Sequence, residues 1–135
     1  MKKFLLLAAC AVGLTLSVNA EQVLRGAEAS NAVKGAETVR YKDFSSVPAF
    51  IKFYPDTRIS YLGWEEWMKS SFFKNSKDLR FELIGTERDE LGMFHYRYQQ
   101  TSQSYPLTFG IWIVHTLNGE VVSMNGEVFD SVPQF

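Results

Sequence analysis

The chain has 135 residues, room for one domain, with 14 basic residues against 15 acidic ones and a formal charge of −1. That balance gives no electrostatic reason to expect binding to nucleic acid or to an anionic membrane. Aromatic residues make up 15% of the sequence, Trp64, Trp67 and Trp112 among them, so large side chains for an apolar core are present.

The first 20 residues read as a secretory signal. Lys2 and Lys3 form a basic start, residues 4–16 are mostly apolar but too short to span a bilayer comfortably, and Val18-Asn19-Ala20 supplies small residues around a cleavage point. Leu7-Ala8-Ala9-Cys10 competes as the box ahead of a lipid-bearing cysteine, though the apolar run continues past it, which fits cleavage after Ala20 better. Cleavage there removes Lys2, Lys3 and Cys10, leaving 12 basic against 15 acidic residues and a charge of −3. The expected product is exported, periplasmic or secreted, with no stable membrane insertion. Without a cysteine it has no disulfide, thiol nucleophile or thiolate ligand.

From Glu21 to about Val39 the composition is rich in Ala, Glu, Gly and Ser and lacks aromatics, with "RGAEA" at Arg25 weakly echoed by "KGAET" at Lys34. Residues 21–46 are therefore predicted to be a flexible leader, ahead of a domain at 47–130 and a tail at 131–135. Phe50, Ile51, Phe53 and Tyr54 make an apolar patch between Pro48 and Pro55, predicting a short extended segment at a sheet edge.

Between Ser60 and Asn75 the spacing is helical: Trp64, Trp67, Met68 and Phe72 form one stripe, with Ser60 as a cap. Glu65 and Glu66 suit its positive end, and Lys69 and Lys74 its negative end. From Leu79 the pattern alternates. Strands are expected around Leu79–Leu83, Phe94–Gln99, Phe109–His115 and Val121–Asn125, the last two joined by Asn118-Gly119, a strong hairpin signal. The predicted fold is α+β: one amphipathic helix packed on a four-stranded antiparallel sheet after a flexible leader.

Alternation places His95, Arg97 and Gln99 on one strand face and Phe94, Tyr96 and Tyr98 on the other, the aromatic side being the one for the helix to cover. His95 and His115 become cross-strand neighbours in one register, but a zinc site needs further ligands and the chain has no HExxH helix. It also lacks a GxSxG elbow, and "WEEW" and "ERDE" read as a helix start and a turn. No catalytic set, metal site or cofactor is predicted, and the chain is not expected to be an enzyme.

The stretch "DELGMFHYRYQQTSQSYPLTFGIWIVHTLNGEVVSMNG", Asp89 to Gly126, resembles the fungalysin/thermolysin propeptide (FTP) domain. Gly92, His95, Arg97, Gln99, Gln100, Thr101, Pro106, Val114, His115, Asn118, Gly119, Val121, Val122 and Gly126 occupy that domain's places in order. Residues 62–87 have the expected helix and strand order, and residues 35–54 resemble the leader of thermolysin-like proteases exported by Bacteroidetes. The family usually has glycines around its hairpin proline, where this chain has Ser104 and Phe109, with Gly110 one place later.

The resemblance implies a non-catalytic propeptide-type domain that inhibits, or assists the folding of, a secreted thermolysin-like metalloprotease, in cis within a longer precursor or in trans. In a complete precursor a PepSY domain and a zinc catalytic domain follow; these 135 residues contain neither. The implied propeptide face is His95, Arg97, Gln99, Gln100 and His115, and the implied turn positions are Gly92, Pro106, Asn118, Gly119 and Gly126. Arg97 can hold a carboxylate bidentately, inside the domain or on a protease. The alternative is an exported binding module that uses the sheet and the 101–110 hairpin, with Tyr105 and Phe109 flanking Pro106, for a cell-surface partner.

Overall fold

In the computed structural model, which describes residues 21–43, 45–74 and 78–130, the chain runs β1 (Gln22–Arg25), α1 (Ala27–Ala32), β2 (Ala36–Tyr41), β3 (Phe50–Phe53), β4 (Ile59–Ser60), a 3-10 turn (Tyr61–Gly63), α2 (Trp64–Phe72), β5 (Leu79–Arg88), β6 (Phe94–Ser102), β7 (Tyr105–Leu117) and β8 (Glu120–Glu127). The signal at 1–20, Cys10 and the tail at 131–135 lie outside the described residues. One antiparallel sheet of eight strands results, in the order β1-β2-β3-β8-β7-β6-β5, with β4 taking over from β3 along the same side of β8.

This overturns the expected fold. The sheet has eight strands rather than four, two short helices accompany it, and the supposed leader supplies β1, α1 and β2. The physical reason is side-chain size: Ala29, Val33, Ala36 and Val39 are all buried, and small residues can fill a core without the aromatic signal that marks one in sequence. Nor is β3 an edge strand, since it pairs with β2 on one side and β8 on the other. Pro55 sits in the loop between β3 and β4, where Thr57 donates its backbone N–H to Tyr54 (3.0 Å) and its hydroxyl to Gly35 (2.5 Å).

The aromatic stripe becomes α2. Ser60 accepts the Leu62 N–H at 3.2 Å and so opens the 3-10 turn, and the α-helical geometry begins at Trp64. Trp64 and Met68 are buried; Trp64 lies 4.7 Å from Tyr98 and 5.1 Å from Phe81, and Trp67 meets the edge of Phe53 at 5.4 Å. The helix thus bridges β3 to the β5–β6 pair. Burial of each such side chain contributes on the order of 2–3 kcal/mol.

Alternation sorts the two faces. Ile51, Tyr98, Trp112, Val114, Val121 and Met124 join both helices in one core cluster, while His95, Arg97, Gln99, Ile111, Ile113, His115, Ser123 and Asn125 stand on the opposite face, half-buried or exposed. Asn118 and Gly119, at φ 53° and 81°, make a two-residue turn matched to strand twist.

Candidate binding face

The register of β6 with β7 sets His95 directly opposite His115. Their Nδ1 atoms are 2.7 Å apart, a hydrogen bond in which the ring tautomers decide which one donates. His95 Nε2 lies 2.8 Å from Asp89 Oδ2, and His115 Nε2 lies 2.5 Å from Asn125 Oδ1. A four-member polar chain therefore crosses three strands. Asp89 is fixed by the turn that it opens: its Oδ1 accepts the N–H groups of Leu91 (2.9 Å) and Met93 (3.0 Å), with Gly92 at φ 85°.

Two proton arrangements satisfy this chain. With Asn125 Oδ1 accepting from His115 Nε2, every contact is filled by a His95 that carries both ring protons and donates to Asp89 and to His115. Turning the Asn125 amide over fills the same contacts with two neutral rings. The first arrangement holds one proton more. Burial holds the His115 pKa below its ordinary value, against the opposing hydrogen bond to Asn125 and with the charge of His95 adding to the depression. The hydrogen bond from His95 and those from Met93 and Leu91 hold the Asp89 carboxyl below the usual carboxylate range.

The two histidines thus spend their facing nitrogens on each other, and among the described residues no group of three or more His, Cys, Asp or Glu is placed to hold a metal ion. Arg97 stands next in the row, between Gly85 of β5 and Ile113 of β7, exposed and with no hydrogen-bond or ion-pair partner among the described residues. It borders a groove of about 400 Å³ that Gly85, Glu87, His95, Ile113 and His115 also line.

The two glutamines of the expected propeptide face, Gln99 in the row and Gln100 beside it, are spent inside the domain. Gln99 donates its amide to the carbonyls of Leu107 (2.8 Å), Gln100 (2.9 Å) and Gly110 (3.3 Å), clamping a bulge in the β6–β7 hairpin. Gln100 is fully buried on the core side, where it donates to the Phe129 carbonyl (2.7 Å) and accepts the Phe129 N–H (2.8 Å). The hairpin tip is Gln103-Ser104, and Pro106 falls within β7 opposite Thr101 rather than in the turn. Ser104 and Phe109 take φ values of 73° and 67°, the left-handed region that favours glycine. Tyr105 and Phe109 are each 77% exposed, pointing outward rather than folding back on the sheet.

Asp89 and Asn125 are the members that sequence reasoning missed. Asp89 reads only as a turn residue, and Asn125 reaches His115 through a β7–β8 bulge that pairs His115 with Ser123 instead of the residue a regular hairpin would give. No sequence signal placed that bulge.

Comparison with protein families matches residues 80–128 to the Fungalysin/Thermolysin Propeptide Motif. Comparison with curated proteins gives no match. Among solved structures the chain is similar to the solution structure of cyanobacterial PsbP (CyanoP) from Synechocystis sp. PCC 6803, at 16% identity and a TM-score of 0.35, over 82% of this chain and 81% of that one. Strands β5 to β8, with the His95–His115 pair and Arg97 on their open face, thus make up the stretch that matches the Fungalysin/Thermolysin Propeptide Motif, which is a propeptide motif and not a catalytic one.

Proposed function

We propose that the protein is an exported, non-catalytic propeptide-type domain that binds a thermolysin-like metalloprotease and inhibits it, assists its folding, or both, in cis within a longer precursor or in trans. The reading rests on the motif match at residues 80–128. The open face suits the role: a sheet presenting Arg97 beside the wall of His95 and His115, next to an edge of β5 unpaired among the described residues, offers an oriented donor and a strand edge to a partner backbone. Gln99 and Gln100 contribute to it indirectly, by holding the hairpin and the chain after β8 in place. The test is to add the purified chain at micromolar concentration to a thermolysin-like protease from the same source, and to dilute that protease from denaturant with and without the chain. Slower peptide hydrolysis or a higher yield of active enzyme is expected; neither effect would remove the proposal.

The exposure of Tyr105 and Phe109 favours a second reading, a binding module that inserts this aromatic pair into a cell-surface partner. Pull-down from the exported fraction separates the two. A peptidase as main partner supports the first, and a different partner lost on Tyr105→Ser and Phe109→Ser supports the second.

A further inference from the structure

We propose that the groove beside Arg97 is a carboxylate-binding site, whose ligand is an acidic side chain on an extended peptide segment laid across the open face near β5. The donor inventory singles out Arg97. All four ring nitrogens of His95 and His115 are engaged, by each other, by Asp89 and by Asn125, so the histidines form a wall and leave no N–H for a ligand. Arg97 has no partner among the described residues, and its planar fork matches a carboxylate with two parallel hydrogen bonds. Space is provided by the cross-strand neighbour: Gly85 faces Arg97 and has no side chain to fill the groove. On the other side Ile113 gives an apolar floor for the methylenes of a glutamate. Glu87, opposite His95 at the groove wall, repels highly charged anions, which favours one carboxylate over a phosphate dianion.

As the contact made to a protease, this site rests on the propeptide reading; as a carboxylate site it does not. The test therefore uses no protease. The backbone N–H resonances of Gly85, residue 97 and Ile113 are followed by NMR while the chain is titrated with acetyl-Ala-Glu-Ala-amide, its Gln counterpart, acetate and inorganic phosphate. The Glu peptide should saturate the shift at least about tenfold more tightly than the Gln peptide and than either free anion. Arg97→Gln should abolish the response without changing the melting temperature, because the side chain makes no internal bond; Arg97→Lys should weaken it, and Gly85→Leu should block it with Arg97 retained. Equal binding of the Glu and Gln peptides, free anions that match the Glu peptide, or unchanged binding by Arg97→Gln would each overturn the site. Selective peptide binding with no effect on any protease would leave the site standing and remove the propeptide reading instead, whereas protease inhibition that survives Arg97→Gln would remove the site from that contact.

Discussion

Gln100 has the burial of a core residue and the bonds of a clasp. Replacing it with Leu keeps the volume but strands both the N–H and the carbonyl of Phe129, so a loss of about 2–4 kcal/mol is expected, read as a lower urea midpoint at unchanged slope. The His115 position carries a pH dependence whose sign follows from its depressed pKa. Below the ordinary value of 6.5 the unfolded chain takes up the proton that the folded chain resists, so stability is intact above that value and falls as pH drops through it toward the lower folded pKa. Asp89 adds a second loss in acid, its contribution being present above about 3.8 and fading as pH falls through its lower folded value. Melting temperature should therefore decline as pH falls below about 6.5, and His115→Gln should flatten that part of the profile. If the slope persists in the variant, its origin lies elsewhere. The row of His95, Arg97 and Gln99 was legible in strand period alone, whereas the sorting of the row into bonded, free and clamping members depends on bulges that alternate patterns do not reveal.

Among the elements, α2 and the strands from β5 to β8 were visible in sequence because large residues repeat there at clean periods of 3.6 and 2. Trp64 ties them together, and Trp64→Ala should cost about 3–5 kcal/mol by leaving a cavity against Tyr98 and Phe81. Gly126 ties β8 to β7 in the opposite sense, through what it lacks. At φ 149° a Cβ there would lie 2.1 Å from the Ile111 carbonyl oxygen, so backbone must move for any other residue to fit. Gly126→Ala should cost about 3 kcal/mol or more, seen as a lowered urea midpoint together with loss of amide protection at Ile111 and Trp112. An alanine variant as stable as the parent would mean that the two strands part there at little cost. β1, α1 and β2 were not visible for the converse reason: their buried side chains are alanines and valines, whose composition is shared by linkers.

At the scale of the whole molecule, the first strands decide whether the propeptide motif is a fold or only part of one. Residues 80–128 contain all but the first residue of β5, and β6 to β8, but the side of β8 away from β7 is covered by β3 and β4, and β3 is in turn covered by β2. Val39 of β2 pairs with Ile51 of β3, which pairs with Met124 of β8, and all three are fully buried, so the core runs unbroken from the early strands into the motif. A chain that begins at residue 47 keeps every motif residue yet loses Ala29, Val33, Ala36 and Val39 from that core, and it bares the edge of β3. Such a truncation should lose the cooperative thermal transition of the parent and self-associate through the uncovered edge, measured by circular dichroism melting and size-exclusion chromatography. A truncated chain that stayed monomeric and melted at the parent temperature would show the early strands to be dispensable, and the motif would then be the folding unit in its own right.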